Sequence, residues 1–213
     1  MYQPAWPEWL QPAPSFTRDE LRASLLEATR VAWLETLREH EHETFYVFGL
    51  ATSDDDLTLK SVAASKQGLR RSPSALPVGA DLSEETMHRL RWLNGEWPYQ
   101  QHEVFEAANR MLGELREKFD RYLEPKLGPT EFERRWDSHW APLMREISAL
   151  YVDVLRELDA RGGFVMQPSR VMLAVFGPDC ESTRSAIRQL NPAHQADRCF
   201  RDLSSMGPRQ ALA

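Results

Sequence analysis

Two long stretches of this chain carry apolar side chains at helical spacing, and a stripe of that length must be buried against a neighbouring element. The first stretch ends at Pro125 and Gly128, and the second is expected to end at Gly162-Gly163 with a left-handed helix cap. Because Pro142 lacks a backbone N–H, we expect the second helix to kink or break around Ser138. The apolar positions are Val104, Phe105, Ala108, Met111, Leu112, Leu115, Phe119 and Tyr122 in the first stretch, and Phe132, Trp136, Trp140, Leu143, Ile147, Leu150, Val154 and Leu158 in the second.

Three other segments have the composition of strands. Residues 44–52 are rich in aromatic and β-branched residues, and residues 57–62 alternate between apolar and polar side chains, so the two are expected to form a hairpin. The nearly unbroken apolar run at residues 171–176 predicts a central strand. Residues 83–97 are compatible with either a helix or a strand, and we favour a strand that ends near Trp92.

The termini and the first helix complete the predicted organisation. Thr17 followed by Glu20 is typical of a capping box and predicts the start of a helix. Residues 1–16 contain four prolines, which prevent regular helix, so we expect an extension that lies along the domain or along a neighbouring subunit. Residues 17–203 are interpreted as a single domain and residues 204–213 as a C-terminal tail. The predicted fold class is α+β, with an antiparallel or mixed sheet of about four strands packed against several helices, two of them long.

Composition and charge argue against several classes of function. The 213-residue chain has a formal net charge of −6 and no basic cluster longer than Arg70-Arg71 or Arg134-Arg135, so a nucleic-acid partner is not expected. Cys180 and Cys199 form no CxxC pair, which argues against a structural zinc site or a disulfide framework. No apolar run approaches the ~18 residues that span a bilayer, and no signal-peptide pattern opens the chain. We therefore expect no membrane partner and predict a cytoplasmic location.

No cofactor and no metal site are predicted either. The glycine-rich phosphate-binding motifs of nucleotide-binding proteins are not found in the sequence. His40 and His42 could share an ion only if a strand already begins at His40, and whether they face one side is left open. The acidic turn at residues 53–56 lacks the glycine and the distal glutamate of a calcium loop.

The segment from Arg91 to Tyr99 is the first candidate for a binding site. It holds Arg91, Trp92, Glu96, Trp97 and Tyr99 within nine positions, and Trp, Tyr and Arg are enriched at binding hot spots. The alternative is that both tryptophans anchor the segment to the core while Arg91 and Glu96 form a surface pair.

A pocket near Asp179 and Cys180 is the second candidate. A cysteine in the first turn of a helix is favoured as a thiolate by the helix dipole. A nucleophile also needs a base, which His194 or His139 would have to provide. The alternative is an ordinary cysteine with a structural role.

The order of these segments resembles a bacterial family known as domain of unknown function 4303. The resemblance covers most of residues 17–200, and it implies the fold and a bacterial cytosolic setting. After the second strand such proteins carry an Asn-Thr-Glu-type helix start, whereas residues 64–69 here read Ala-Ser-Lys-Gln-Gly-Leu. Members look like small accessory or immunity-type modules. The residues that carry the resemblance are Ala28-Thr29-Arg30-Val31-Ala32-Trp33, Phe45-Tyr46-Val47-Phe48-Gly49-Leu50, Asp54-Asp55-Asp56, Arg91-Trp92, Glu96-Trp97, Val175-Phe176-Gly177-Pro178-Asp179 and Leu190-Asn191-Pro192.

The sequence thus predicts a non-enzymatic protein-interaction module of the accessory or immunity type, with a protein as its partner. The alternative is a small-molecule-binding protein or an enzyme that uses the pocket near Asp179 and Cys180. The sequence does not determine the oligomeric state or the identity of the partner.

Overall fold

The structure, a computed structural model, describes residues 6–52, 58–71, 91–92, 97–123, 129–165, 170–177 and 180–204. The strands are β1 (Phe45–Thr52), β2 (Leu59–Ser65), β3 (Tyr99–Gln101) and β4 (Met172–Phe176). The α-helices are α1 (Arg18–Glu39), α2 (Lys66–Arg71), α3 (Glu106–Leu123), α4 (Pro129–Arg135), α5 (Ala141–Ala160), α6 (Cys180–Leu190) and α7 (Ala193–Ser204). A 3₁₀ turn (Glu103–Phe105) precedes α3, and a π-helical turn (Trp136–Trp140) joins α4 to α5.

Helix α1 begins at the predicted capping box. The backbone N–H of Glu20 donates to Thr17 Oγ1 at 3.2 Å, and the backbone N–H of Thr17 donates to Glu20 Oε2 at 2.7 Å. Two backbone donors that the first helical turn leaves without partners are satisfied in this way. The prediction of this helix start is confirmed.

The described strands form one mixed sheet in the order β3-β2-β1-β4. β1 and β2 are antiparallel, which confirms the predicted hairpin pairing, and β4 runs parallel to β1. The prediction that residues 171–176 form a central strand is wrong for the described sheet, because β4 lies at its edge. The apolar run has a different cause: β4 is covered on both faces.

Strand β3 lies where the sequence suggested a binding loop. Residues 99–101 pair antiparallel with residues 61–63 of β2. The sequence favoured instead a strand that ends near Trp92. Arg91 and Trp92 form a turn, and residues 83–90 lie outside the described residues.

Each face of the sheet carries its own apolar layer, because side chains alternate along a strand. Phe48, Leu50 and Leu173 pack with apolar residues of helices α1, α3 and α5. On the other face, Val47 and Ala174 pack with apolar residues of α6 and α7 and with the Trp92 and Trp97 rings. The predicted α+β fold with a mixed sheet and two long helices is confirmed.

The second long helix changes its winding where the sequence predicts a break. The backbone N–H of Ala141 donates to the carbonyl oxygen of Trp136, a bond across five residues instead of four. Pro142 offers no N–H to the carbonyl of Ser138, and in a regular helix its ring would clash with that carbonyl. The π turn accommodates the proline without ending the helix.

The extra residue in the π turn also explains a wrong prediction about burial. Each α-helical residue rotates the chain by about 100°. The buried stripe of α5, which includes Leu143 and Ile147, is therefore out of phase with the stripe expected on α4. Phe132 and Trp136 were expected in the core, but their side chains are 43% and 37% exposed.

The end of α5 agrees with the sequence analysis. Gly162, with φ of 79°, ends α5 in the predicted left-handed conformation, and the N–H of Gly163 donates to the carbonyl of Leu158 at 2.9 Å. Among the described helices, none combines the length and apolar character needed to cross a bilayer.

Candidate functional site

The segment from Arg91 to Tyr99 is described at its two ends, residues 91–92 and 97–99. Trp92 and Trp97 are 8% and 2% exposed, so their indole rings belong to the core. Arg91 is half-buried, and Glu96 lies outside the described residues. The alternative in which both indoles anchor the segment agrees with this burial.

Polar contacts of the two indoles hold the ends of the segment in place. Trp97 Nε1 donates to the carbonyl oxygen of Arg91 at 3.2 Å, and Trp92 Nε1 donates to Asp202 Oδ2 at 3.2 Å. The Tyr46 hydroxyl also donates to the Arg91 carbonyl at 3.2 Å. The Arg91 guanidinium lies 5.5 Å from the centre of the Tyr46 ring, a cation–π distance. Arg91 is thus half-buried beside Tyr46, while the two indoles are in the core.

Tyr99 belongs to a polar cluster that the sequence analysis missed. The Glu43 carboxylate accepts hydrogen bonds from the hydroxyls of Ser65 and Tyr99 and from the guanidinium of Arg71. We call these four residues the Glu43 cluster. They come from the loop before β1, the end of β2, the end of α2 and the start of β3. The cluster ties these four elements together at one corner of the sheet.

Electrostatics favour the ionised form of Glu43. Burial raises the pKa of this carboxyl, but the hydrogen bonds from Ser65, Tyr99 and Arg71 together lower it below its ordinary value. Burial and the hydrogen bond to Glu43 raise the pKa of the Tyr99 hydroxyl. A carboxylate with three donors already bound is a structural acceptor and not a free general base.

Helix α2 approaches Tyr99 closely because residue 68 is glycine. A Cβ at this position would lie 2.4 Å from the Tyr99 hydroxyl oxygen and 2.7 Å from two ring carbons. Ser65 also caps α2, because its Oγ accepts the backbone N–H of Gly68 at 2.8 Å. Ser65 therefore begins α2 where the resemblance implied an Asn-Thr-Glu-type start.

The two histidines near this corner of the sheet, His40 and His42, have different neighbours. The His40 ring lies 4.3 Å from the Tyr99 ring, and its Nδ1 lies 3.8 Å from Glu43 Oε1. The His42 side chain is 92% exposed and lies beside Glu41. The two imidazoles are thus not arranged as a chelating pair. Among the described residues, no group of three potential metal ligands is found.

The pocket predicted near Asp179 and Cys180 lies largely outside the described residues. Helix α6 begins at Cys180, as predicted, but Asp179 and the Cys180 side chain are not described. His194 is exposed in the first turn of α7. The eleven residues of α6 separate position 180 from that turn by about 15 Å along the helix axis. Position 180 and the first turn of α7 thus lie at opposite ends of α6.

The π turn creates an exposed aromatic surface that the sequence analysis assigned to the core. The Phe132 and Trp136 rings are stacked, with centroids 6.1 Å apart and an interplanar angle of 23°. We call this pair the aromatic ridge. The other large apolar side chains exposed among the described residues are Leu34 and Val165, which are not part of the ridge. The presence of Pro142 six residues after Trp136 was the available signal for a change of helix phase.

Buried rings support the ridge from below. Trp136 contacts Phe119 and Trp140, with centroid distances of 5.9 Å and 6.1 Å, and Phe119 stacks on Trp140 at 4.3 Å. Phe119 and Trp140 are buried in the core. The ridge is therefore packed directly on core residues.

Residues 6–16, which we call the N-terminal arm, lie against the same group of rings. Trp9 contacts Phe119, Tyr122 and His139, with centroid distances of 6.0, 5.3 and 5.3 Å. Leu10 of the arm is fully buried.

His139 has polar neighbours on both ring nitrogens. Ser138 Oγ donates to the carbonyl oxygen of Arg134 at 2.5 Å, and His139 Nδ1 lies 2.7 Å from the same Oγ. His139 Nε2 lies 3.5 Å from the Tyr122 hydroxyl oxygen.

These features define a class of protein: an α+β domain with a mixed sheet covered on both faces, a structural polar corner and an exposed aromatic surface at a π turn. The sequence matches the family described as Domain of unknown function (DUF4303) over residues 25–192, and the chain belongs to this family. Comparisons with curated proteins and with solved structures find no match.

Proposed function

We propose that this protein is a cytoplasmic bacterial protein-interaction module of the accessory or immunity type, without enzymatic activity. The observation that carries the proposal is the exposure of two stacked aromatic side chains, Phe132 and Trp136, on a helix held by the core. Tryptophan is strongly enriched among the residues that dominate binding energy at protein interfaces. A rigid aromatic pair loses little conformational entropy on binding, so burial of its apolar area is retained as affinity.

The segment from Arg91 to Tyr99 contributes a second surface in this proposal. Trp92 and Trp97 support it from the core, and Arg91 offers a guanidinium to a partner beside the Tyr46 ring. Arginine is also enriched at interface hot spots. Glu96 and Tyr99 remain proposed contacts of this surface.

The alternative function, a small-molecule site or an enzyme active site near Asp179 and Cys180, gains no specific support from the described residues. His194 is displaced from position 180 by the length of α6. We therefore favour the interaction module.

Site-specific cross-linking in the native host tests the proposal. A photoreactive benzoylphenylalanine at position 132 is expected to give a discrete adduct with one partner, whereas the same group at Leu34, which is also exposed on a helix, is not. Binding of that partner to the purified full-length protein is expected to weaken about 30-fold in Trp136→Ala, the factor that corresponds to ~2 kcal/mol. The same adducts at positions 132 and 34 would count against the proposal, and so would the absence of any adduct at positions 132, 34 and 91.

A third labelled position separates the two surfaces. If the adduct forms at position 91 and not at position 132, the interaction module stands but its main contact is the Arg91 surface. Unfolding of each labelled protein by urea serves as the control for folding.

A further inference from the structure

We infer that the N-terminal arm is a strap that holds the π turn, and with it the aromatic ridge, in the conformation described here. When the arm opens, the turn loosens. Contacts within this chain carry the coupling between the arm and the turn. Its consequence for a partner rests on the proposed interaction function, because the ridge is the surface on which the partner would bind.

Three rings in mutual contact join the arm to the π turn. Trp9 comes from the arm, Tyr122 from the last turn of α3 and His139 from the π turn. The ring centroids of each pair are 5.3 Å apart. We call these residues the ring triad. Because Trp9 packs against both other rings, loss of its side chain would remove contacts from α3 and from the π turn at once.

The π turn depends on such contacts with neighbouring elements. Its hydrogen bond across five residues is a form that helices adopt rarely and in single turns, often at functional sites. Directly before the turn, the Arg135 guanidinium donates to the carbonyl oxygen of Tyr122 at 2.7 Å. His139, near its end, contacts Trp9 and Tyr122. Helix α3 thus holds both sides of the turn, and the arm holds one of them.

A reverse turn in the arm brings Trp9 to this place. The backbone N–H of Leu10 donates to the carbonyl oxygen of Pro7 at 2.9 Å, so the chain reverses at Glu8 and Trp9. The Leu10 side chain that follows is fully buried. Trp9 and Leu10 are therefore the apolar anchors of this part of the arm.

One ion pair of α3 supplies the polar attachment of the arm. The Glu114 carboxylate accepts the backbone N–H of Ser15 at 2.8 Å and the Ser15 hydroxyl at 2.5 Å. The Lys118 ammonium donates to the carbonyl oxygen of Pro12 at 2.8 Å and lies 3.5 Å from Glu114 Oε1. We call Glu114 and Lys118 the latch. In the part of the chain that the structure describes, no other hydrogen bond joins residues 6–16 to the rest of the domain.

The small number of these attachments favours opening of the arm as a local unit. The arm belongs to no helix or strand of the described fold, and Glu8, Ser15 and residues 11–13 are exposed. Segments with few hydrogen bonds and little buried area open at a lower free energy than the core. Opening therefore removes Trp9 from the ring triad while the sheet stays folded.

Amide hydrogen exchange, measured by NMR on the full-length protein, tests the inference, because different amides report different elements. The Ser15 N–H bonds to Glu114 and reports the arm. The Ala141 N–H bonds to the carbonyl of Trp136 and reports the π turn, and the Leu173 N–H reports the sheet. In the wild-type protein we expect the protection factor of Ser15 to be at least about tenfold lower than that of Leu173.

Two substitutions release the arm in different ways. Trp9→Ala removes one ring of the triad and is expected to lower the protection factor of Ala141 about tenfold. Glu114→Gln weakens the latch and leaves every ring in place, so the protection factors of Ser15 and Ala141 should both fall about threefold. If Trp9→Ala fails to fold, Glu114→Gln still decides the outcome.

Glu117→Gln is the matched control for the latch. Glu117 lies on the same helix, is exposed and pairs with Arg121 instead of with the arm. Its substitution should change the protection factor of Ala141 less than about twofold. The protection factor of Leu173 should stay the same in all folded variants, which shows that the sheet is intact.

Three results would overturn the inference. The first is unchanged protection of Ala141 in both Trp9→Ala and Glu114→Gln. The second is a Ser15 amide that is as strongly protected as Leu173, and the third is an equal loss at Leu173 in both variants. Either of the last two would mean that the arm opens only with the whole domain.

The partner found by cross-linking at position 132 tests the consequence for binding. Its affinity for Trp9→Ala is expected to be about threefold lower or worse, because the conformation that presents the ridge is then less populated. Equal affinity for wild type and Trp9→Ala would overturn the control of the ridge by the arm. If cross-linking finds no partner, the proposed function fails, while the exchange rates still decide whether the arm holds the turn.

Discussion

The side-chain amide of Asn191 holds Leu173 as a neighbouring strand would. Asn191 Oδ1 accepts the backbone N–H of Leu173 at 2.8 Å, and Asn191 Nδ2 donates to the Leu173 carbonyl oxygen at 2.7 Å. The same Nδ2 donates to the carbonyl of Ile187 at 2.8 Å. Asn109 does the same for Leu59 of β2, at 2.8 Å and 2.9 Å. Two asparagines thus satisfy backbone groups of the sheet that have no strand partner.

Replacement of Asn191 by alanine is expected to destabilise the protein by about 2–5 kcal/mol. Two buried backbone groups of Leu173 lose their partners, and each unsatisfied group costs ~1–3 kcal/mol. Urea unfolding measures the loss. The exposed neighbour Gln189 provides the matched control, and Gln189→Ala is expected to change stability by less than ~0.5 kcal/mol. Equal losses of unfolding free energy for the two substitutions would show that the Asn191 amide does not stabilise the backbone groups of Leu173.

The Glu43 cluster is expected to make stability depend on pH in the acidic range. The pKa of the Glu43 carboxyl is lower in the folded protein than in the unfolded chain, so the unfolded chain binds a proton at Glu43 more readily. The stabilisation from the ionised carboxylate is therefore present above about pH 4.5 and is lost as the pH falls towards the folded-state pKa. Glu43→Gln should cost about 1–3 kcal/mol at pH 7 and progressively less below pH 4.5. Unfolding by urea at a series of pH values tests this. Glu41 is exposed and lies two residues away, so Glu41→Gln should change neither the unfolding free energy at pH 7 nor its dependence on pH. Unfolding free energies of wild type and Glu43→Gln that differ by the same amount at every pH would contradict the prediction.

Gly68 and Tyr99 are expected to be energetically coupled. Gly68→Ala places a Cβ 2.4 Å from the Tyr99 hydroxyl and should cost about 1–3 kcal/mol. In a Tyr99→Ala background the clash is gone, so the same substitution should cost nothing, and a double-mutant cycle should give a coupling of at least ~1 kcal/mol. Gly113 in α3 is the control, because a Cβ there meets nothing within 4 Å and alanine is the better helix former. Additive effects of Gly68→Ala and Tyr99→Ala would exclude the coupling.

Trp97 and Arg91 are expected to have opposite roles in the segment they share. Trp97→Ala should destabilise the protein by about 3–5 kcal/mol, since the ring is buried against Phe176 at 5.2 Å. Arg91→Ala should cost less than ~1 kcal/mol, the size of a partly exposed cation–π contact. Thermal and urea unfolding of the two variants separate these roles. A stability loss for Arg91→Ala as large as that for Trp97→Ala would mean that the arginine is part of the core.

Features that depend on neighbouring residues could be predicted from the sequence. The capping box at Thr17 and Glu20, the hairpin pairing of β1 with β2 and the left-handed end of α5 at Gly162 each involve residues close together in the chain. The irregular turn near Ser138 was also predictable, because the missing N–H of Pro142 acts on a carbonyl four residues away.

Burial at the ridge was predicted wrongly for a reason that lies in the same turn. A single helical phase from Phe132 to Leu158 would bury every apolar position of this stretch. The π turn changes that phase, so the stripe of α5 is buried and Phe132 and Trp136 reach solvent. Apolar spacing reports burial only as long as the helix keeps its winding.

The Glu43 cluster could not be predicted, because its members lie at positions 43, 65, 71 and 99. Nothing in the local pattern around any of them indicates the other three. The position of β4 at the edge of the sheet could not be predicted either. An apolar run indicates that both faces of a strand are covered, but it does not indicate how many strands pair with it.

The sequence by itself determined the long helices, the hairpin strands and, where a helix keeps its winding, the side that avoids water, since propensity, capping and periodicity act over a few residues. The tertiary structure decided the strand order, the polar corner at Glu43, the asparagine caps on Leu59 and Leu173, and the exposure of Trp136. Each of these depends on groups that meet only after distant segments pack, where hydrogen bonding and close packing select one arrangement from many that share the same local pattern.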